Sequence, residues 1–196
     1  MFEVRIHGRG GQGVVTATEM LSLAAFDEGR YAQAFPSFGS ERMGAPVVSF
    51  CRIDDHQIRV REPIMEPDAL IIVDPTLLHQ VDVFGGCKPD GFILINTVKG
   101  FDELGLSDFV RDFRHERLLT VPASELAREH TGRAVANAAL LGGFAALSGL
   151  ISLDAVARAI RERFTGAVGE GNVAAAQAAH AWVAEEMREL SGAAAG

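Results

Sequence analysis

The sequence predicts an α/β fold in which helices cover a mostly parallel β-sheet, giving three layers. Three observations support this prediction. Residues 2–7 alternate in polarity with a period of two, as a strand does, and lead through a glycine-rich loop into a run with helical spacing. Residues 69–73 and 91–95 are continuously apolar, which is typical of strands covered on both faces of a parallel sheet. From residue 123 onward Ala, Leu, Arg and Glu dominate, and this composition favours helices.

The first part of the chain is predicted to be a strand, a loop, a helix and a second strand. After the strand at residues 2–7, apolar residues follow helical spacing from Val14 to Gly29, where a glycine is a natural helix end. Residues 30–35 then predict a short strand that ends at Pro36.

Two further β-rich runs follow, at residues 45–53 and 57–60. Because only the polar residues 54–56 separate them, they predict a β-hairpin inserted after the second strand. A weaker strand candidate lies at residues 117–121. The sheet is therefore not expected to be a plain repeat of strand and helix.

The last third of the chain is predicted to be helical. Ser152 suits the N-cap of one helix, and the pair Gly142 and Gly143 allows close packing between helices. Residues 1–190 are expected to form a single domain, followed by a frayed tail at residues 191–196. The predicted helices span residues 124–130, 135–149, 153–164 and 172–190.

The composition restricts the classes of function. The chain has 196 residues, of which 48% are hydrophobic, enough for a substantial core. Its formal charge of −8 argues against a nucleic-acid-binding surface. We recognise neither a secretory signal nor an apolar run as long as a membrane span, so we expect a cytoplasmic protein without membrane contact.

Covalent and metal chemistry have little support in this chain. Cys51 and Cys87 are expected to be reduced thiols, and two cysteines cannot hold a four-cysteine iron–sulfur cluster. The histidines are not paired at a helical spacing that suits a metal, and neither a Gly-x-Ser-x-Gly motif nor a carboxylate pair is present. We therefore expect no catalytic residue and no metal site, so any cluster that carries electrons must belong to another chain.

The glycine loop is the strongest motif. Gly8, Gly10 and Gly13 fit the pattern Gly-x-Gly-x-x-Gly between a strand and a helix, which is the context of a Rossmann-like fold. In that pattern the first glycine permits a tight turn, the second lets backbone amides approach a phosphate, and the third lets the helix pack on the strand. The start of the helix offers free N–H groups to an anion.

The second half of the dinucleotide motif is missing. An NAD site also needs an acidic residue at the end of the next strand, to bind the ribose. Here no acidic residue occurs from Arg30 until Glu41. Three alternatives are therefore open for the loop: dinucleotide binding, contact with a phosphate or CoA-type anion, and a purely structural turn.

Other polar positions have a structural and a functional interpretation. Residues 35–47 contain two prolines and two glycines, which indicates a shaped loop, either a docking surface or a structural crossover. Asp74 directly follows a predicted strand. At that position an aspartate can either contact a ligand or cap a turn. Asn96, Thr97 and Asn137 are expected to satisfy backbone groups.

Five segments together resemble the gamma subunits of 2-oxoacid:acceptor oxidoreductases, whose familiar members are the pyruvate and 2-oxoisovalerate ferredoxin oxidoreductases. The resemblance covers about residues 3 to 185. The glycine loop alone is weak evidence, whereas five segments in the same order are specific. The segments are Gly8-Arg-Gly-Gly-Gln-Gly13, Pro36-Ser-Phe-Gly-Ser-Glu-Arg-Met-Gly-Ala-Pro46, Asp68-Ala-Leu-Ile-Ile-Val-Asp-Pro-Thr-Leu77, Asn137-Ala-Ala-Leu-Leu-Gly142 and Asn172-Val-Ala-Ala175.

The resemblance implies an enzyme complex that oxidatively decarboxylates a 2-oxo acid to its acyl-CoA. In this family thiamine diphosphate lies between the alpha and beta subunits, and iron–sulfur clusters on the beta and delta subunits carry electrons to ferredoxin, or to NAD through an added subunit. The gamma subunit is implied to hold none of these cofactors and to be inactive alone. It is implied to help assemble the complex and, as we hypothesise, to contact CoA. Neither the particular 2-oxo acid nor the electron acceptor is indicated by this chain.

The glycine loop is the expected CoA contact, because free amides at a helix start suit the phosphates of CoA and need no acidic partner for a ribose. Arg9 would add a charge-assisted hydrogen bond. Met43 stands where the family frequently has an arginine. Two alternatives stay open: a free-standing Rossmann-like protein that binds NAD(P), and a purely structural scaffold subunit. The expected cofactor-binding residues are Gly8, Arg9, Gly10, Gly11, Gln12, Gly13, Glu41 and Arg42.

Overall fold

The computed structural model of the chain describes residues 1–37 and 43–194. In these residues the chain forms six β-strands in one sheet and five α-helices. The strands are β1 (Phe2–Arg9), β2 (Tyr31–Pro36), β3 (Pro46–Asp54), β4 (Ala69–Ile72), β5 (Phe92–Asn96) and β6 (Leu118–Val121). The helices are α1 (Val14–Asp27), α2 (Ala123–Thr131), α3 (Asn137–Ser148), α4 (Leu153–Arg163) and α5 (Gly166–Ala194).

The sheet has the strand order β2-β3-β1-β4-β5-β6. β1, β4, β5 and β6 are neighbours that pair in parallel. β3 lies between β1 and β2 and runs antiparallel to both. The prediction of an α/β fold with a mostly parallel sheet is therefore confirmed, and the weaker strand candidate at residues 117–121 is confirmed as β6.

The sheet contains an antiparallel hairpin, but not between the two runs that the sequence predicted. Residues 57–60 form no strand, and β3 pairs with β2 on one side and with β1 on the other. Because both edges of β3 are already hydrogen-bonded, residues 57–60 have no free edge to join. The pairing predicted between residues 45–53 and 57–60 was wrong, and the hairpin consists of β2 and β3.

One face of the sheet packs against the α-helices. Val4 and Ile6 of β1 join Met20 and Leu21 of α1 and Phe144 of α3 in the main hydrophobic core, where all five side chains are fully buried. α3 is buried along most of its length, because it lies between the sheet and α5. The start of α1 is therefore fixed by packing on several elements at once.

The other face of the sheet is covered mainly by irregular segments. Leu70, Ile72 and Ile95 form a second, smaller core on this face. Short 3₁₀ helices at Pro75–His79 and Phe109–Asp112, with the loops around them, pack over it. The third layer is thus built from 3₁₀ turns and loops where the sequence led us to expect helices.

The helical last third follows the prediction closely. α2, α3 and α4 correspond to the predicted segments, and the Oγ of Ser152 caps α4 by accepting a hydrogen bond from the N–H of Ala155 at 3.1 Å. α5 begins at Gly166, before the predicted start at residue 172, and it continues to Ala194, into the segment predicted to fray. Within the described residues, none of the helices combines the length and the apolar character that a membrane crossing needs.

Candidate functional site

The glycine loop joins β1 to α1, and two of its glycines are required by close contacts. A Cβ atom on Gly8 would lie 2.5 Å from a methyl carbon of Val14, at the first residue of α1. Gly13 has a left-handed backbone with φ of 75°, and its Cβ would lie 2.5 Å from the Nδ2 atom of Asn137. These glycines therefore let α1 begin directly beside β1 and against the first residue of α3.

The glycine loop is hydrogen-bonded to the second motif of the sequence. The N–H of Gly10 donates to the carbonyl of Ala45 at 2.9 Å, and the N–H of Gly44 donates to the carbonyl of Gly10 at 3.0 Å. Met43, whose side chain is 87% exposed, lies against Gly11, where an added Cβ would be 2.4 Å from the sulfur. Residues 43–45 of the second motif consequently lie against the glycine loop, and both backbone groups of Gly10 are engaged.

The last two predicted site residues, Glu41 and Arg42, lie outside the described residues.

Arg9 is bound by the protein itself. Its Nε donates to Asp74 at 3.1 Å, and its Nη2 donates to the hydroxyl of Thr76 at 2.8 Å and to the amide oxygen of Gln80 at 2.7 Å. Its Nη1 donates to the carbonyl of Gly44 at 3.1 Å. The guanidinium thus fastens the glycine loop to the segment after β4 and to the second motif.

Gln12 completes this connection. Its side-chain oxygen accepts a hydrogen bond from the N–H of Arg9 at 2.7 Å, and its Nε2 donates to Asp74 at 2.7 Å. Arg9 and Gln12 were predicted as cofactor contacts, and their side chains serve here to shape the loop.

Asp74 is the acidic centre of these contacts. It also caps the 3₁₀ helix Pro75–His79, because its Oδ1 accepts a hydrogen bond from the N–H of Thr76 at 2.9 Å. Burial alone would raise the pKa of Asp74, but hydrogen bonds from Thr76 and Gln12 and the charge of Arg9 outweigh burial and hold this pKa below its usual value. The carboxylate is therefore ionised at neutral pH and engaged in capping, the structural role that the sequence allowed for it.

A cavity of about 560 Å³ opens beside the glycine loop. Gly11, Gly13 and Thr16 form one of its walls. The other walls come from the turn between α2 and α3, the end of α4 and the start of α5. Its volume lies within the range of about 300–1,000 Å³ that is usual for small-molecule sites.

Two buried asparagines line this cavity. The Nδ2 of Asn137 lies 3.5 Å from the carbonyl of Gly13, and its Oδ1 accepts a hydrogen bond from the N–H of Ala138 at 2.8 Å. The Nδ2 of Asn172 donates to the carbonyl of Val168 at 2.9 Å. Both asparagines come from the segments that carried the family resemblance, and the structure brings them together with the glycine loop.

His130 and Arg133 also line the cavity, and both side chains are exposed. Sequence reasoning missed them. Each lies in a polar stretch at the end of α2, on either side of Gly132, and nothing local distinguishes it from other exposed polar residues. Only the tertiary structure reveals that this stretch faces the glycine loop.

The thiols lie away from this site. Burial raises the pKa of Cys51 to about 12, and burial is also the main reason that the pKa of Cys87 is raised to about 11. Both are free thiols that stay protonated at neutral pH. Among residues 1–37 and 43–194, no group of three or more His, Cys, Asp or Glu side chains is arranged to hold a metal ion.

The fold and the loop together define a Rossmann-like α/β protein whose second strand lacks the acidic residue of a dinucleotide site. Residues 3–182 match the pyruvate ferredoxin/flavodoxin oxidoreductase family. The chain belongs to this family, and its relatives are named as a common subunit gamma or as the subunit PorC.

Two relatives and one solved structure illustrate the relationship. The pyruvate/ketoisovalerate oxidoreductases common subunit gamma of Thermococcus kodakarensis is 48% identical, over 91% of this chain and 95% of the relative. The pyruvate synthase subunit PorC of Methanothermobacter marburgensis is 44% identical, over 92% of this chain and 96% of the relative. The crystal structure of the pyruvate oxidoreductase subunit PORC of Thermotoga maritima superimposes with a TM-score of 0.76 at 34% identity, covering 91% of this chain and 94% of that one. The gamma-subunit resemblance is thereby confirmed.

Proposed function

We propose that this gamma subunit works in a complex that oxidatively decarboxylates a 2-oxo acid to its acyl-CoA. Its partners are alpha, beta and delta-type subunits, which hold thiamine diphosphate and the iron–sulfur clusters and pass electrons to ferredoxin or another acceptor. The names of the relatives favour pyruvate or a branched 2-oxo acid as the substrate. The chain contributes to assembly and to contact with CoA.

The division of labour is supported by the residues of this chain. Two cysteines cannot ligate a four-cysteine cluster, and both thiols are protonated at neutral pH. Asp74, the carboxylate that contacts the glycine loop through Arg9 and Gln12, is occupied by these two residues and by Thr76. We therefore assign the decarboxylation and electron-transfer steps to the partner subunits.

One observation carries the proposed CoA contact: the start of α1 opens into the cavity that holds the family's two asparagines. The first N–H groups of a helix have no acceptor within the helix and favour anions. The amides at the start of α1 can therefore donate hydrogen bonds to a phosphate. Gly10 and Arg9 are hydrogen-bonded within the protein, to the Gly44–Ala45 backbone and to Asp74.

The two alternatives make different predictions. A free-standing NAD(P)-binding protein would need a group for the ribose at the end of β2, where the sequence Tyr31–Pro36 contains no acidic residue. A pure scaffold would bind its partner subunits without binding CoA.

Purification of the protein from its native source under anoxic conditions distinguishes the proposed function from the two alternatives. We expect the chain to co-elute with thiamine- and cluster-bearing subunits, and the pool to reduce a viologen dye with one 2-oxo acid, only when CoA is added. Elution alone near 20.9 kDa without activity would contradict the proposal. Titration of the isolated chain with NADH then tests the first alternative.

A further inference from the structure

β2 is an edge strand of the sheet, and no strand of the described residues pairs with its outer side. The N–H of Ser37, just after β2, donates to the carbonyl of Val48 at 2.9 Å, which fixes the groups of β2 that face β3. Because these groups alternate along an antiparallel pair, the backbone N–H and carbonyl groups of Ala32 and Ala34 point outward. The edge therefore offers donors and acceptors to a further strand.

This edge lacks the charges that usually protect an edge strand. Residues 31–40 contain no charged residue, in a chain whose formal charge is −8. Proteins commonly place charged side chains on such edges, because an open edge can pair with another chain. The charges that border β2 are balanced within the chain, since Arg30 pairs with Asp55 at 3.0 Å and Asp27 pairs with Arg158. Two copies of this surface can therefore approach each other without repulsion.

The sequence of β2 is complementary to itself. The run Tyr31-Ala-Gln-Ala-Phe35 has the same order in both directions: aromatic, small, polar, small, aromatic. When two copies pair antiparallel about Gln33, Ala32 of each copy lies opposite Ala34 of the other, and each such pair exchanges two hydrogen bonds. Tyr31 then lies opposite Phe35 at the positions where cross-strand side chains are closest. Aromatic pairs at such positions stabilise a sheet.

A cavity of about 310 Å³ lies beside this strand. It is lined by Gln33, Ala34 and Phe35 of β2 and by Arg61. Because Tyr31 of a second copy lies opposite Phe35 in this register, its ring can enter the cavity and contact the guanidinium of Arg61, an interaction that aromatic rings favour. Tyr31 is 51% exposed in the single chain, and pairing would cover it.

α1 extends the same surface on the face of the sheet that the helices cover. It packs on β2 and β3, and the N–H of Arg30 donates to the carbonyl of Ala25 at 3.1 Å in the turn that joins α1 to β2. Phe26, beside this turn, is 71% exposed although it is aromatic. A second copy paired at β2 brings its own α1 alongside this one, because each α1 lies over the strand at the junction. Removing Phe26 from water would favour association.

We propose that the chain forms a two-fold symmetric dimer, in which β2 pairs antiparallel with β2 of a second copy and the two six-stranded sheets become continuous. The interface is isologous, since both copies contribute the same residues. The argument rests on the edge strand alone and not on the proposed reaction. In the complex, such a dimer would join two sets of the other subunits.

Sedimentation equilibrium of the purified full-length chain tests the association. We expect a species of twice 20.9 kDa. Tyr31→Lys should raise the dissociation constant of the dimer about tenfold or more, because it removes two aromatic pairs and places a charge beside Arg61 of the other copy. Trp182→Lys is the matched control and should leave the dimer intact. Trp182 is an exposed aromatic residue of α5, which packs beside β6 at the opposite end of the sheet.

Cross-linking tests the register. Gln33 lies opposite its own copy on the two-fold axis, so chains with Gln33→Cys should form disulfide-linked dimers under mild oxidation at neutral pH. Chains with Tyr31→Cys should not, because that position lies opposite Phe35. The wild-type chain is the blank, since burial holds the pKa of the native thiols of Cys51 and Cys87 well above neutral pH.

Three results would overturn this inference. The first is a monomeric wild-type chain. The second is a dimer that Tyr31→Lys leaves unchanged while the variant is folded by circular dichroism. The third is a dimer that cross-links through Tyr31→Cys and not through Gln33→Cys. A monomeric chain whose folded Tyr31→Lys variant no longer joins the other subunits would assign the edge to a strand of another subunit. The activity of the complex tests the proposed function separately, so each of these results leaves that function intact.

Discussion

His7 is a titratable residue held in its neutral form inside the sheet. It lies in β1, and its Nε2 accepts a hydrogen bond from the Nε of Arg5 at 3.0 Å. Burial lowers the pKa of His7 to about 3, with a further contribution from the charge of Arg5. A histidine that accepts from an arginine must be unprotonated at that nitrogen, so this contact requires the neutral ring.

We predict that His7 makes folding sensitive to mild acid. In the unfolded chain its pKa is about 6.5, so between pH 6.5 and about 3 the unfolded state binds more protons than the folded state. The free energy of unfolding therefore falls as the pH decreases below 6.5, by up to about 2 kcal/mol between pH 6.5 and 5. His7→Gln keeps an acceptor for Arg5 and should reduce the dependence of the unfolding free energy on pH. Urea denaturation at pH 6.5 and at pH 5 measures this dependence.

His115→Gln is the control for this prediction, because His115 is exposed. The variant should keep the wild-type dependence on pH. If His7→Gln also kept it, the ring would not be the group that titrates.

At the scale of the elements, the contact between α3 and α5 depends on one glycine. A Cβ on Gly142 would lie 2.0 Å from the backbone carbonyl oxygen of Ala176 in α5. A backbone atom cannot move aside as a side chain can. The glycine therefore sets how closely these two helices approach, and both helices begin at the cavity.

We predict that Gly142→Ala destabilises the protein by about 3 kcal/mol, because the added methyl group pushes α3 and α5 apart. Gly143→Ala is a matched comparison, since its Cβ would meet side chains and no backbone: Leu94 and Val183, each at 3.3 Å, and Val121 at 3.7 Å. Alanine also gains about 1 kcal/mol of helix propensity there, so the net change should stay within about 1 kcal/mol. Chemical denaturation of both variants checks this, and equal stabilities would contradict the packing argument.

At the scale of the whole molecule, Arg5 fastens two irregular segments to the sheet. Its side chain is 7% exposed, and it donates to the carbonyls of Ile64 at 3.4 Å, Val83 at 3.0 Å and Gly85 at 2.7 Å. These carbonyls lie before β4 and between β4 and β5, in segments that cover the face opposite the helices. One buried guanidinium thus joins β1 to much of the third layer.

Replacing Arg5 by methionine should release both segments. Three carbonyls, two of them in buried contacts, would lose their donor, so we expect about 3 kcal/mol of lost stability and faster hydrogen exchange near residues 83–87 than in α3. Arg59→Met, at an exposed position, should change neither quantity. Uniformly faster exchange across the whole chain would show that Arg5 has no special role in holding these segments.

The elements were predicted well because their signals are local. The apolar run at residues 69–73 became β4, and Ser152 caps α4 as its position predicted. Residues 57–60 misled the prediction, because a β-rich composition does not reveal that both edges of β3 are already occupied.

The candidate site was predicted only in part. Gly11 and Gly13 line the cavity, and the role of the loop in CoA contact stays a prediction. Arg9 matched the expected chemistry of an anion contact, yet the fold places Asp74 beside it, 65 residues away in the chain. Arg133 lines the same cavity, and no local signal in the sequence places it there.

The sequence by itself determined the α/β class, the glycine loop between β1 and α1, most helix positions and the family. These follow from periodicity, caps and short motifs, which act between near neighbours in the chain. The tertiary structure decided which charged groups are engaged and which are free, and it placed Asn137 beside Gly13 across 124 positions. Such contacts depend on how strands and helix starts pack together, and no local spacing encodes that arrangement.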